Sequence, residues 1–291
     1  MGKQIPLTVC GKDFSQHSLN RINIIIQNNP TINRTKLSRV LCREFGWASP
    51  NGHLKEMSCR VALLKLHRAN FIQLPPPKKQ HYLCRKLKIT SISEPQPLIN
   101  KNICDISNLK LNLVQSKKDS QLWNQLIERY HYLGYKPLSG AQLRYFISCS
   151  DGLLAAISFS AAAWKIAPRD NWIGWNNNQR QKNLYLIANN SRFLIFPWIK
   201  IPHLASKILS ISAKQLPLDW IHKYSYKPVL LETFVEKDRF QGTCYRAANW
   251  ISAGQTTGRG KKDFHHLHPL PVKCIWLYPL NRDFRKILCT I

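Results

Sequence analysis

Apolar residues recur with a helical period three times before residue 70. Over 18–28, Leu19, Ile22, Ile25 and Ile26 share one face, and Pro30 stops the run. Over 34–45, Leu37, Val40, Leu41 and Phe45 repeat the pattern; Thr31 or Asn33 can cap its start, and Gly46 suits the position just past its end. A third stripe of Met57, Val61 and Leu64 predicts a helix over 54–69, ended by Asn70. The period then changes: two short strand-like runs, 71–74 and 81–84, flank Pro75, Pro76 and Pro77 with Lys78 and Lys79. Three short helices and a basic hairpin is the order of a winged helix-turn-helix, whose third helix enters the major groove. Residues 1–84 are therefore expected to be such a module. The third helix would present Lys55, Arg60, Lys65 and Arg68, and the second Arg34, Lys36, Arg39 and Arg43 to phosphates. A helical packing module with solvated charges is the alternative reading.

Over 85–108 the periodicity fades into a stretch rich in Pro, Ser and Asn, expected to be a linker. From 109 onward strand and helix patterns alternate. The pattern predicts a strand over 109–114 and a helix, capped by Asp119 or Ser120, carrying Trp123, Leu126, Ile127 and Tyr130. Strands over 143–149 and 153–159 flank the turn Ser150-Asp151-Gly152. A loop through 165–175 leads to a short polar helix over 176–183 and a central strand over 184–188 that continues through 191–196. A helix over 204–215, a strand over 229–235, a short helix over 243–250 and a strand over 272–278 follow. This order predicts, for 109–291, an acetyltransferase-like (GNAT-like) mixed α/β sheet domain, on a pattern that other α/β folds share.

Composition changes the picture at one point. Lys and Arg number 43 against 15 Asp and Glu, a net charge of +28 over 291 residues. Residues 1–104 carry +13 of it and residues 105–291 carry +15, so the charge is not confined to a tail. Such an excess points to a polyanionic partner, with DNA expected, and excludes an acidic metabolic enzyme. No run approaches 18 consecutive apolar residues, the first residues lack a signal-peptide pattern, and the nine cysteines never form a C-x-x-C pair. A reduced, cytoplasmic protein without a membrane partner is expected. P-loop, dinucleotide-binding and serine-hydrolase signatures are absent. His265, His266 and His268, near Cys274, match no standard zinc spacing, so no metal is expected.

Candidate chemistry sits in the second part. Glu232 is a lone carboxylate in an apolar strand, suited to act as a general base or to pair with Arg192 or Arg246. Arg192, at the end of a central strand, can grip a phosphate or carboxylate with its planar fork, or serve as that structural partner. Tyr245 beside Arg246 is a candidate acid or stacking group, or a core tyrosine. His131 opens a loop and is a candidate proton carrier. Gly254, Gly258, Arg259, Gly260, Lys261 and Lys262 suit a phosphate backbone, through backbone amides plus cations, and Arg246 is a further expected nucleic-acid contact. Trp164, Trp172 and Trp175 are stacking platforms or core.

Several long words also resemble a known family: KEMSCRVALLKLHRANFIQLPPP, HYLGYKPLSGAQLRY, SFSAAAWKIAPRDNWIGW, NNSRFLIFPWIKIPHLASKILS, PVLLETFVEKDRFQGTCYRAANW and GQTTGRGKKD. They are similar to the bacterial DruA family of the Druantia anti-phage system, from about Leu37 to Tyr278. The resemblance implies a DNA-binding component of phage defence that recognises or marks invading DNA beside a large helicase-like partner. Solitary family members linked to mobile elements leave a transposon-associated accessory protein as an alternative. CYRAANWISAG also resembles a helix of the broader acyltransferase-like superfamily, which implies a nucleic-acid-modifying transferase using Glu232, Tyr245 and Arg192 as a further alternative. Where an acyl-CoA enzyme carries a glycine loop this chain has IPHLASKIL, so the cofactor stays open. So does the oligomeric state.

Overall fold

Side-chain caps set the starts of the first two helices. Ser15 accepts from the Ser18 N–H at the head of α1 (Gln16–Gln27). Asn33 accepts from Thr35 N–H and Lys36 N–H at the head of α2 (Arg34–Glu44). A hairpin of β1 (Leu7–Val9) and β2 (Lys12–Phe14) precedes them, and α3 (Glu56–Arg68) follows. The computed structural model describes residues 7–49, 52–77, 87–138, 140–258 and 270–290. They divide into two compact units, Met1–Arg85 and Lys86–Ile291.

The first unit closes around Phe14, Ile22, Leu37, Leu41, Cys42, Ala62, Leu63 and Leu66. The expected inward stripe of α3 is corrected here. The buried positions are Cys59, Ala62, Leu63 and Leu66, while Met57 is 63% and Val61 44% exposed. Apolar residues occur on both sides of this helix, so its period alone does not say which side faces in. Residues 71–74, expected as a strand, have no ladder partner among the described residues; Ile72 and Leu74 are buried under α3 instead, and His67 bonds their backbone. The second run, 81–84, lies outside the described residues.

The second unit is built on a seven-stranded mixed sheet. Its elements are β3 (Ile99–Asn100), β4 (Lys110–Leu113), α4 (Lys117–Tyr130), β5 (Gln142–Cys149), β6 (Gly152–Ala161), α5 (Ala167–Ile173), α6 (Asn177–Asn183), β7 (Ile187–Ile195), β8 (Ile199–Lys200), α7 (Leu204–Tyr224), β9 (Leu230–Glu236), α8 (Thr243–Ala247), β10 (Ile251–Gln255), β11 (Lys273–Pro279) and α9 (Phe284–Leu288). The sheet order is β10-β11-β9-β7-β6-β5-β4, antiparallel throughout except for the parallel pair β7 and β9. The main core lies between this sheet and the helices α4 and α7, with Trp123, Ile127, Leu204, Ile208, Leu216 and Trp220 fully or nearly fully buried. A smaller core packs Ile173, Trp175, Phe284 and Leu288 against Leu230, Ile275 and Leu277.

Several expected boundaries move. Ser116, not Asp119 or Ser120, caps α4 by accepting from the Asp119 N–H. The expected loop over 165–175 contains α5, and 184–186 form a 3-10 turn ahead of the central strand. Helix α7 continues nine residues past its expected end at 215, through Pro217. Burial of Leu216, Pro217 and Trp220 offsets the hydrogen bond that the proline removes. The expected linker is also corrected. Residues 87–108 lie on the second unit: β3 pairs in parallel with β8, and Thr90 to Glu94 dock on α4. No helix among the described residues is long and apolar enough to cross a membrane.

Candidate functional site

Glu232 is 0% exposed in the middle of β9. Its Oε2 accepts from Arg169 Nη1 at 2.8 Å and its Oε1 from the Ala163 N–H at 2.8 Å. Arg169 is also 0% exposed; its Nη1 donates to Ala163 O, and its Nε and Nη2 donate to Asp170 Oδ1 at 2.9 and 2.7 Å. Asp170 Oδ1 accepts in addition from Trp175 Nε1, while its Oδ2 faces Arg180 at 3.6 Å. Burial pushes the Glu232 carboxyl above the usual carboxylate range, and Arg169 and the Ala163 N–H oppose that rise. The expected partners of Glu232, Arg192 and Arg246, are therefore corrected to Arg169. Sequence reasoning missed Arg169 because Arg169 and Asp170 follow Pro168 in a stretch without an apolar period. Both oxygens of Glu232 are engaged, so the network clamps residues 163–175 to the sheet.

Adjacent strand residues point to opposite faces. Thr233 therefore lies opposite Glu232, and Tyr245 packs on the Thr233 side, against Trp250 and Trp276. The Tyr245 hydroxyl donates to Asn190 Oδ1 at 2.8 Å, and burial pushes its pKa well above the usual phenol range. This is a core tyrosine with a satisfied hydroxyl. It shares no cavity with Glu232, which lies across the sheet. Gly242, ahead of α8, has φ +70°, and the Trp276 ring lies 2.6 Å from where a Cβ would sit. Arg246 is exposed on α8.

Arg192 and His131 do come together. Strands β7 and β9 pair only from Ile187 with Leu230 to Asn190 with Thr233, then diverge. One extra residue in β7, Ser191, sets Arg192 opposite Ser158. Arg192 Nε donates to Gly134 O at 3.1 Å, and its Nη1 to Ser191 O at 2.7 Å. His131, at the end of α4, stacks on Tyr132 with 4.9 Å between ring centres, and its Nδ1 accepts from the Leu133 N–H. The Arg239 guanidinium covers the other ring, 4.9 Å from Tyr132. Burial first, and then the charge of Arg192, push the His131 pKa down to about 4. This imidazole is neutral at neutral pH and is a weak base. The four catalytic candidates thus occupy three places.

The nucleic-acid candidates divide as well. Lys36, Lys55, Lys65 and Arg68 are exposed, and Arg39 pairs with Glu56 at 3.0 Å. Arg34 is turned inward, donating to Pro75 O at 2.7 Å. Arg60 lies along Met57 on α3. Lys78, Lys79, Arg259, Gly260, Lys261, Lys262, His265, His266 and His268 lie outside the described residues. Gly258 has φ +70°, and its carbonyl accepts from the Leu270 N–H. Of the three tryptophans, Trp175 is core, Trp172 stacks on Phe284 at 5.1 Å, and Trp164 is 53% exposed beneath Arg180.

The segment between β7 and α7 does not fit a pyrophosphate cradle. It holds no glycine, β8 is paired with β3, and Ile201 and Leu204 are buried.

A family model described as Druantia protein DruA matches residues 65–268, more than half of the chain. The chain belongs to the DruA family. Among curated proteins, none matches the sequence. Solved structures overlap loosely with it. The ribosomal-protein-S18-alanine N-acetyltransferase from Escherichia coli is 8% identical, with 60% of this chain and 94% of that one covered and a TM-score of 0.37. An N-acetyltransferase from Staphylococcus aureus Mu50 is 8% identical, covering 60% and 99%, at 0.36. An N-acyl amino acid synthase from uncultured soil microbes is 12% identical, covering 60% and 90%, at 0.35.

Proposed function

We propose that this protein is a DNA-contacting component of a Druantia-type anti-phage system, with α3 as its contact helix. The observation that carries the reading is the solvent face of α3. Lys65 and Arg68 stand exposed there beside Met57 and Val61. A helix with cations toward phosphates and small apolar groups toward thymine methyls has the chemistry of major-groove contact. Family membership supplies the defence setting, and the net charge of +28 supplies the long-range attraction. A helicase-like protein of the same system is the proposed partner, in the cytoplasm.

The test is fluorescence anisotropy with duplex DNA across a salt series. Binding weakens steeply with salt, and the Lys65→Glu/Arg68→Glu variant binds more than tenfold more weakly, with a salt slope shallower by about 2. In a phage-challenge assay the same variant loses protection. Salt-insensitive binding, or a variant that binds like the parent, overturns the reading. A transferase using Glu232 and Tyr245 as one site is not proposed, because the two side chains face opposite sides of the sheet.

A further inference from the structure

A narrow cleft opens between the end of α4 and the face of β5, β6 and β7; its closed part has room for about one water molecule before it widens to solvent. Three cations line it: Arg144, Arg192 and Lys136. Strand register places Arg144 opposite Ser158, and Ser158 opposite Arg192, so the two guanidinium stems flank one serine across three strands. Neighbouring strands lie about 4.8 Å apart, so the two backbones stand about 10 Å from each other, a span that a tetrahedral anion and two arginine side chains can bridge.

No carboxylate among the described residues compensates the charge there, although the Arg144 guanidinium lies over the Trp123 ring, 5.4 Å from its centre. Arg144 donates to two neutral groups, Asn124 Oδ1 at 2.8 Å and Ser120 Oγ at 2.9 Å. Arg192 donates only to carbonyls. Among the described residues, neither arginine has a carboxylate within ion-pair distance, although both are half-buried. A desolvated cation without a counter-charge is costly. The chain does pair its fully buried arginine, Arg169, with two carboxylates, so the contrast lies within one unit. Trp123 lines the cleft and is 3% exposed; its Nε1–H has no hydrogen-bond partner among the described residues, a state shared by Trp198, Trp220, Trp250 and Trp276. Cations without an acidic partner suit an acceptor-only, negatively charged group.

We infer that the mouth of the cleft between α4 and β5–β7 is a binding site for a single phosphate-like oxyanion, held by Arg144, Arg192 and Lys136. The site lies in the second unit and does not depend on DNA contact by α3. The phosphate belongs either to a free mononucleotide or to the terminus of a polynucleotide.

Isothermal titration of the full chain tests this with four probes: inorganic phosphate, adenosine 5′-monophosphate, a short oligonucleotide with a 5′-phosphate, and the same oligonucleotide without it. Inorganic phosphate binds, and Arg144→Gln and Arg192→Gln each weaken it at least tenfold. Lys136→Ala, at an exposed rim position that leaves the fold intact, weakens it about threefold. A mononucleotide preference assigns the free source; a preference for the phosphorylated over the unphosphorylated oligonucleotide assigns the terminal source. Lys65→Glu/Arg68→Glu leaves phosphate binding unchanged, which separates this site from the α3 reading. Absence of phosphate binding, or equal binding by the parent and an Arg192→Gln/Lys136→Ala double variant, overturns the inference.

Discussion

Arg169 is held from every side of its guanidinium. All three nitrogens of its guanidinium are engaged, and it meets two carboxylates at 0% exposure. Arg169→Met leaves Glu232 buried without its cation, and denaturant melts should register a loss of about 3–5 kcal/mol. Arg169→Met with Glu232→Leu should recover part of that loss, because apolar groups need no partner there. His131 gives a second test. The unfolded chain takes up this proton near pH 6.5 and the folded chain near pH 4. Stability tied to neutral His131 is therefore full above pH 6.5 and is lost as pH falls toward 4, by about 3 kcal/mol. Thermal melts between pH 7 and pH 4.5 should show a shallower decline for His131→Gln than for the parent. The sequence marked Glu232 as unusual because a carboxylate in an apolar strand breaks the local pattern. It did not mark Arg169, since a buried arginine in a polar loop reads like any exposed one. Arg192 and His131 are 61 residues apart in sequence and meet only because β7 runs past the end of α4.

At the scale of elements, period and turn chemistry made most of the architecture legible. The helices α1, α2 and α4, the β5–β6 hairpin, the strands β7, β9 and β11 and the start of α7 all follow from apolar spacing and punctuation. What the pattern could not supply was the consequence of burial for weak signals. Pro217 marks an end to α7 by local rule, and tertiary packing carries the helix through it. The 87–108 segment has the composition of a linker, yet its bonds go to α4 and β8. Gln125, 5% exposed, accepts from the Thr90 N–H and hydroxyl at 2.8 and 3.1 Å, and Arg129 forms a fork with Glu94. Gln125→Ala leaves the Thr90 N–H without its acceptor. It should cost about 1–3 kcal/mol, with faster amide hydrogen exchange at Thr90 than at the buried strands. A normal exchange rate at Thr90 in that variant would show that this strap, residues 87–108, is held by other contacts.

For the whole molecule, electrostatics sets the scale. With 43 cations against 15 acids, most surface charge repels its neighbours, and few surface ion pairs among the described residues relieve it. Added salt or a polyanion should therefore raise the melting temperature by several degrees, heparin more than sodium chloride at equal ionic strength. A melting temperature that ignores both would mean that the repulsion is already balanced within the fold. The strap has a different consequence, set by the order in which the chain is made. Ile99 pairs with Ile199, a hundred residues later. At about 5–20 residues per second, β3 leaves the ribosome roughly 5–20 seconds before β8 exists to receive it. During that interval the segment must stay unpaired in a crowded cell. Its prolines, serines and asparagines suit a strand that has to wait, because they give other strand edges little to hold. The composition that disguises this segment as a linker is also what keeps it safe until its partner arrives.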